Sequence, residues 1–127
     1  MIRIALTLII LLSGQDHLLA HDFTPTYPKL QRTYVDGILK AEMNIFNKRS
    51  DISYYKVGVY NSEWEKIPFI VQGGKTIKVE YLETKTFDVY VQESRRKDVV
   101  YICTKSRTLQ DGSTKTLVTS RICSKVK

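Results

Sequence analysis

The sequence predicts an all-β protein built from two packed layers. Short segments in which apolar and polar residues alternate recur along the chain, and turn-forming residues separate them about every eight to twelve positions. No segment keeps a helical spacing of apolar residues over a useful length. Seven or eight strands of this kind in a chain of 127 residues are typical of an immunoglobulin-like β-sandwich.

The first twenty residues have the composition of an export signal. Arg3 supplies a positive start, residues 4–12 form an apolar run, and a cleavage point is expected after Ala20. An uncleaved membrane anchor is the alternative, which the shortness of the run and the polar residues behind it disfavour. We therefore predict a signal peptide at 1–20 and one periplasmic or otherwise exported domain at 21–127.

The clearest strand occupies the second half of residues 31–47 and should be buried on one face. Its inward positions are Leu39, Ala41, Met43 and Ile45. The other strand-like segments are 52–60, 65–71, 75–82, 84–92, 99–107 and 114–127. Polar turns at 47–51 and 72–74 and a charged loop at 93–98 separate some of them. The proline-containing segment 22–30 fits only at a sheet edge.

Two aromatic positions carry specific expectations. Tyr81 shares a strand face with Ile77 and Val79, so we expect it to point the same way as these apolar residues. Trp64 lies in a polar segment, and we interpret it as a loop residue that caps one end of the core, rather than as an exposed binding hot spot.

The chain carries a formal net charge of +7, and removing the predicted signal leaves this value unchanged. A basic exported protein can meet anionic lipid, acidic glycan, a peptide carboxylate or nucleic acid. The positive residues are spread over most segments, which solubility alone would also explain. Export, and the placement of the tyrosines in strand patterns, argue against nucleic acid. Contact with a membrane surface is compatible with the charge but not required by it, and we expect a protein partner.

The histidine content disfavours the common catalytic and metal sites. His17 falls inside the predicted signal and His21 at the expected new N-terminus, which leaves no general base for a serine or cysteine nucleophile. Two cysteines without a histidine partner make a poor metal site. No carboxylate pair or glycine-rich phosphate loop stands out. We predict no enzyme activity, no cofactor and no metal.

Cys103 and Cys123 are the only cysteines, and in an exported protein they predict one disulfide. Directly opposed residues of a regular hairpin have position numbers with a constant sum. A two-residue loop at Asp111-Gly112 would give a sum of 223, whereas opposition of the two cysteines requires 226. We therefore predict a Cys103–Cys123 bond and a hairpin that is not of the simple Asp-Gly type.

From Arg32 to Asn47 the chain reads R-x-x-x-D-G, followed by an alternating strand that ends in asparagine. This stretch, and the order and spacing of the segments after it, resemble the N-terminal immunoglobulin-like domain of the periplasmic pilus chaperones of the PapD-like family. The matching segments are YYKVGVYNSEWEKIPFIV, KTIKVEYLETKTFDVYVQ, VVYICTKSR and TLVTSRICSK. The resemblance covers nearly the whole of residues 21–127.

The resemblance implies a binding site. In that family a basic pair at the base of a cleft binds the C-terminal carboxylate of a pilus subunit, and the pair maps onto Arg32 and Arg121. A guanidinium suits this role because it holds a carboxylate with two charge-assisted hydrogen bonds. We expect the two arginines on adjacent strands; the alternative is that both are exposed strand residues without a ligand. The last strand would pair with the partner along Thr116, Leu117, Val118 and Thr119.

The chain also departs from the family. Those chaperones have two immunoglobulin-like domains, whereas this chain has room for one. The apolar row that completes a subunit would fall here on Thr116, Thr114 and Gly112, which fill space poorly. The predicted function is an exported, single-domain, chaperone-like binding protein that acts in assembly of a surface appendage. The alternative is a permanent structural subunit or adaptor of an envelope secretion, pilus or flagellar machine.

Overall fold

The computed structural model describes residues 20–107 and 119–127. Within these ranges the strands are β1 Asp22–Thr24, β2 Gln31–Arg32, β3 Ile38–Phe46, β4 Tyr54–Tyr60, β5 Ile70–Val71, β6 Thr76–Lys78, β7 Thr84–Gln92, β8 Tyr101–Arg107 and β9 Arg121–Lys125. A short 3-10 helix at Glu93–Asp98 stands where a charged loop was predicted. Nearly all of the predicted signal peptide and the turn of the last hairpin lie outside the described residues.

Two antiparallel sheets confirm the predicted all-β, immunoglobulin-like sandwich. One has the strand order β1-β3-β7-β5, with β2 paired to the start of β3. The other has the order β6-β4-β8-β9. No helix in the described part of the chain is long and apolar enough to cross a membrane.

The core lies between the two sheets because the inward, alternate residues of β3 and β4 are mainly apolar. The four inward positions of β3 are all buried as predicted: Leu39, Ala41, Met43 and Ile45. From the opposite sheet, Val57 and Val59 of β4 and Ile102 of β8 are buried as well. Each fully buried Val, Leu, Ile or Met side chain contributes about 1.5–3 kcal/mol by leaving water. This apolar layer holds the two sheets together.

Asn47, at the end of β3, ties the connection between the sheets. Its Nδ2 donates hydrogen bonds to the carbonyl oxygens of Ile52 (2.6 Å) and Val79 (2.8 Å). Its Oδ1 accepts from the hydroxyl of Tyr55 (2.6 Å) and from the backbone N–H of Arg49 (2.9 Å). The amide is fully buried, and it makes all four of the hydrogen bonds that its oxygen and nitrogen can form.

The segment predicted as a strand at 75–82 is shorter in the structure, because β6 ends at Lys78. Ile77 and Val79 are buried as expected, but Tyr81 is 54% exposed, so its predicted inward position is wrong. The chain turns here, with Leu82 at a φ of +60°, in order to enter β7 of the other sheet. The alternation of apolar and polar residues in the sequence therefore extends beyond Lys78, where β6 ends.

Residues 65–71 change sheets part-way along. Lys66 forms a bridge with Tyr60 at the end of β4, whereas β5 pairs with Tyr90 and Val89 of β7 in the other sheet. The chain then returns, and β6 pairs with the start of β4. This excursion leaves a gap along the edge of β4 between its two neighbouring segments.

Cys103 and Cys123 form the predicted disulfide, and their Cα atoms lie 4.0 Å apart. They are directly opposed in the β8–β9 ladder, with the register that the sum of 226 requires. Ser106 donates its N–H to the carbonyl of Ser120 (2.8 Å), and hydrogen-bonded pairs recur at every second position of an antiparallel ladder. Cys103 and Cys123, three positions further along, therefore form a non-hydrogen-bonded pair, the kind in which opposed side chains lie closest.

Candidate functional site

Arg121 lies on the face of the four-stranded sheet that is turned away from the core, here called the outer face. Its guanidinium carbon is 5.0 Å from the ring centre of Tyr60 and 5.1 Å from that of Trp64. Its Nη2 lies 3.9 Å from the sulfur of Cys103. The ring quadrupoles attract the cation, and the disulfide fixes the strand that carries it. The Arg121 side chain is therefore held in position although it remains exposed to solvent.

Trp64 reaches this position through a tight turn at 61–65. The Asn61 side-chain oxygen accepts the N–H groups of Glu63 and Glu65 (both 2.9 Å), and Trp64 has a φ of +63°. The indole stacks on Tyr101, with ring centres 4.2 Å apart and planes 3° apart. Trp64 is 49% exposed, so the prediction that it caps the core is wrong; it belongs to the outer face.

Gly58 makes room for Tyr60 on the outer face. A Cβ atom at Gly58 would lie 2.6 Å from the Tyr60 hydroxyl and 2.8 Å from two of its ring carbons. Only a residue without a side chain lets the Tyr60 ring lie against the strand at this place. The close approach thus fixes the ring beneath the Arg121 guanidinium.

A groove of about 660 Å³ runs over the outer face and reaches the gap at the edge of β4. Its cationic residues are Lys56, Lys66, Lys75, Lys105 and Arg121, and none of the described residues that line it is acidic. We call it the cationic groove. Lys75 lies 4.5 Å from the ring centre of Phe69, in a second cation–π contact. None of the five cations forms an ion pair with a carboxylate in the ranges 20–107 and 119–127.

The gap in the groove floor leaves part of the β4 backbone open. Val57 donates its N–H to the carbonyl of Lys75 (2.8 Å), and the Val59 carbonyl accepts the N–H of Ile67 (2.9 Å). The Val57 carbonyl and the Val59 N–H point to the same side, between these two bonds. Neither has a hydrogen-bond partner among the residues that the structure describes.

The outward edge of β9 is a second open surface, which we call the β9 edge. Among the described strands β9 pairs with β8 alone. On its other side, Lys125 and Lys127 donate their N–H groups to the carbonyls of Thr26 (3.0 Å) and Pro28 (2.9 Å). The chain before Thr26 pairs with β3 as β1, although it still passes close to β9. Among the described residues, no backbone hydrogen bond is made to Arg121 or Cys123 on this side of β9.

The predicted edge residues fall only partly within the described chain. Thr119 is described and exposed, just before β9 begins. Thr116, Leu117 and Val118 lie outside the described residues. The β9 edge is therefore defined here by Arg121 and Cys123.

Arg32 and Arg121 are not on adjacent strands, so that expectation is wrong. Arg32 is in β2 and pairs with Leu39 in the five-stranded sheet, whereas Arg121 is in β9 of the four-stranded sheet. The segment before β2 runs beside the C-terminal end of β9, where Thr26 is next to Lys125. Arg32 therefore lies past the C-terminal end of β9, whereas Arg121 is the first residue of that strand. Both arginines are exposed, but they do not form the predicted pair.

His21 is buried rather than available at a surface, which the sequence did not indicate. Its Nδ1 is 2.9 Å from the Ser120 hydroxyl oxygen and its Nε2 is 2.7 Å from that of Thr104. Burial lowers the pKa of the imidazole to about 4, since desolvation disfavours the cation. With both nitrogens engaged, His21 packs the end of the core. In the described residues no group of three or more potential ligand side chains is arranged to hold a metal ion.

Comparison with solved structures shows that the sandwich is similar to the E. coli chaperone DraB. The TM-score is 0.62 at 10% sequence identity, and the match covers 84% of this chain and 53% of DraB. This chain thus spans about half the length of that protein. No protein-family model matches the sequence, and no curated protein matches it. The likeness to DraB establishes the fold, an immunoglobulin-like sandwich shared with a bacterial chaperone.

Proposed function

We propose that this protein is an exported, chaperone-like binding protein that captures a partner polypeptide during assembly of a surface appendage. The observation that carries the proposal is the β9 edge, an open strand edge on a fold shared with a chaperone. An extended segment can add itself to such an edge through main-chain hydrogen bonds, which do not depend on the partner's sequence. Binding through an edge, rather than catalysis, is the activity that this surface supports.

Arg121 supplies the specific contact in this proposal. Side chains on one face of adjacent strands approach within about 4.5–5.5 Å at Cβ, so an acidic group of the captured strand would lie beside the Arg121 guanidinium. Tyr60 and Trp64 already hold that guanidinium, which reduces the side-chain entropy lost on binding. Arg121 acts alone here, because Arg32 lies on the other sheet.

Two substitutions at Arg121 separate the edge from the charge. Arg121→Ala removes the guanidinium, and Arg121→Pro removes the guanidinium together with the outward N–H. The ladder to β8 uses Ile122 and Ser124 instead, so both variants should fold. We expect the tagged protein to retain its partner from envelope extracts in the order wild type, Arg121→Ala, Arg121→Pro.

Equal recovery by the alanine and proline variants would show that the edge N–H takes no part. The same purification distinguishes a chaperone from a permanent structural subunit. A chaperone releases its client and is missing from the finished assembly, whereas a structural subunit stays in it at fixed stoichiometry.

A further inference from the structure

We propose that the cationic groove is a second binding site, which takes an extended acidic polypeptide segment. It shares Arg121 with the β9 edge but lies mainly over β4 and β8 and opens at the far side of the sheet. The proposal does not depend on how the partner binds at β9. Three features of the groove carry it: a row of like charges, aromatic rings that are already occupied, and an open backbone segment.

Lys56, Lys105 and Arg121 form a row across three neighbouring strands. Lys56 is directly opposite Lys105, and Lys105 is directly opposite Arg121. Neighbouring strands are about 4.8 Å apart, and like charges directly opposite one another destabilise a sheet. Lys66 and Lys75 add two more cations, and within 20–107 and 119–127 no acidic residue lines the groove. A ligand with several negative charges would relieve this repulsion.

The aromatic rings near the groove are in contact with Lys75 and Arg121. This arrangement argues against a ligand whose base or sugar would stack on one of these rings. One face of Trp64 lies on Tyr101, and the Arg121 guanidinium carbon lies 5.1 Å from the centre of the indole. Lys75 lies over the Phe69 ring. Proteins that bind single-stranded nucleic acid keep aromatic faces open for the bases. Here the rings position charges, so the structure favours a carboxylate ligand.

The open backbone favours a polypeptide over other polyanions. In a parallel ladder, one residue of the added strand donates its N–H to residue i−1 of its neighbour and accepts from residue i+1. The Val57 carbonyl and the Val59 N–H are the two groups that such a residue would use, on either side of Gly58. A peptide main chain repeats this pair of donor and acceptor at a fixed spacing, whereas the hydroxyl groups of a glycan rotate and have no fixed direction. Because Lys75 and Ile67 are hydrogen-bonded to β4 on either side, a single residue of a peptide can make these two main-chain bonds, and its acidic neighbours would meet the cations of the groove.

The test is a binding titration with a fluorescein-labelled peptide in which glutamate and serine alternate. The control peptide has glutamine in place of each glutamate. We expect the acidic peptide to bind, its affinity to fall with added salt, and the glutamine peptide to bind at least about tenfold more weakly. The double variant Lys56→Gln/Lys105→Gln should weaken binding of the acidic peptide at least about tenfold.

The matched control is Lys85→Gln/Lys97→Gln, which removes the same charge outside the groove and should leave the affinity within about twofold. Equal losses in the two double variants would overturn the proposal, since net charge alone would then explain binding. Tighter binding of polygalacturonate or single-stranded DNA than of the peptide would also overturn it. Capture at the β9 edge should persist in Lys56→Gln/Lys105→Gln, so failure of one site is distinguishable from failure of the other.

Discussion

At the scale of single residues, two buried polar side chains, those of Asn47 and His21, connect separate elements of the fold through hydrogen bonds. Asn47 joins the β3–β4 connection to the end of β6 through four hydrogen bonds. His21 joins the start of β1 to Thr104 and Ser120 of the other sheet. Both are nearly inaccessible to solvent, so any group that they leave unpaired pays the full cost of desolvation.

Asn47→Asp should destabilise the protein by about 2–4 kcal/mol. The substitution keeps the size and the acceptor oxygen but removes the two N–H bonds to Ile52 and Val79. Urea unfolding at neutral pH measures the change in the free energy of unfolding. Asn44→Asp, at a partly exposed position of the same strand, is the control and should stay within about 0.5 kcal/mol of wild type. An unchanged urea midpoint for Asn47→Asp would contradict the role assigned to the amide.

The stability of the protein should fall as the pH drops from 6.5 to about 4, because of His21. The pKa of the folded state is lowered by burial, with Asp22 opposing and Arg49 adding to the shift, so the unfolded chain binds the proton more readily. The contribution is complete above the unfolded pKa of 6.5 and is lost as the pH approaches 4. The loss should be about 3 kcal/mol in the free energy of unfolding.

The measurement is the difference between wild type and His21→Gln across this pH range, which cancels the carboxylates that titrate nearby. The glutamine variant is less stable at neutral pH but should lack the His21 component of the slope. Parallel pH profiles for the two proteins would show that His21 stays equally protonated in both states.

At the scale of elements, the disulfide and the aromatic cluster make β8, β9 and the 61–65 turn one unit. The bond joins opposed residues of β8 and β9, and Arg121, two residues away, lies on the rings of Tyr60 and Trp64. In the described part of the chain, β9 and β8 form a ladder of five residue pairs. Cross-linking this ladder opposes fraying at the C-terminal end of the chain.

Removing the disulfide with Cys103→Ala/Cys123→Ala should lower the free energy of unfolding by about 3 kcal/mol, through the loop that the bond closes in the unfolded chain. It should also change the emission of Trp64, the only tryptophan, because β9 carries the cation that lies on the indole. Thermal unfolding and fluorescence spectra measure the two effects. Lys85→Ala, at an exposed position of β7 in the other sheet, is the control. Stability equal to wild type would show that the bond adds nothing to the fold.

At the scale of the whole molecule, the positive charge bears on the kind of partner that the protein can bind. The net charge of +7 includes the five cations of the cationic groove, which no described carboxylate neutralises. An exported protein with such a surface meets acidic partners in the envelope. Export itself is a proposal that rests on the composition of residues 1–20.

Mass spectrometry of the protein isolated from its own cells should place the mature N-terminus at His21. Signal peptidase would then cut immediately before a residue whose side chain is buried in the folded domain, so cleavage must come before or during folding. Ala20→Leu should slow processing, since a large residue is a poor substrate next to the cut. An intact Met1 on a membrane-bound protein would contradict the signal peptide.

The sequence by itself determined the features that rest on neighbouring positions. The burial of Leu39 and Ile45 follows from a period of two along one strand. The register of the last hairpin follows from a constant sum of opposed positions, which the pairing of Cys103 with Cys123 makes explicit. In both cases the geometry is local or fixed by a single cross-link, so the spacing of residues is enough to predict it.

Only the tertiary structure decided which sheet each segment joins, since that choice depends on strands distant in the chain. The segment around Thr26 lies beside β9 while Arg32 pairs with β3, which separates Arg32 from Arg121. The cationic groove exists because residues 65–71 leave β4 for the other sheet, and because the pairing of β4, β8 and β9 aligns Lys56 with Lys105. Residues brought together by non-local pairing leave no periodic signal in the sequence, and it is these residues that form the candidate sites.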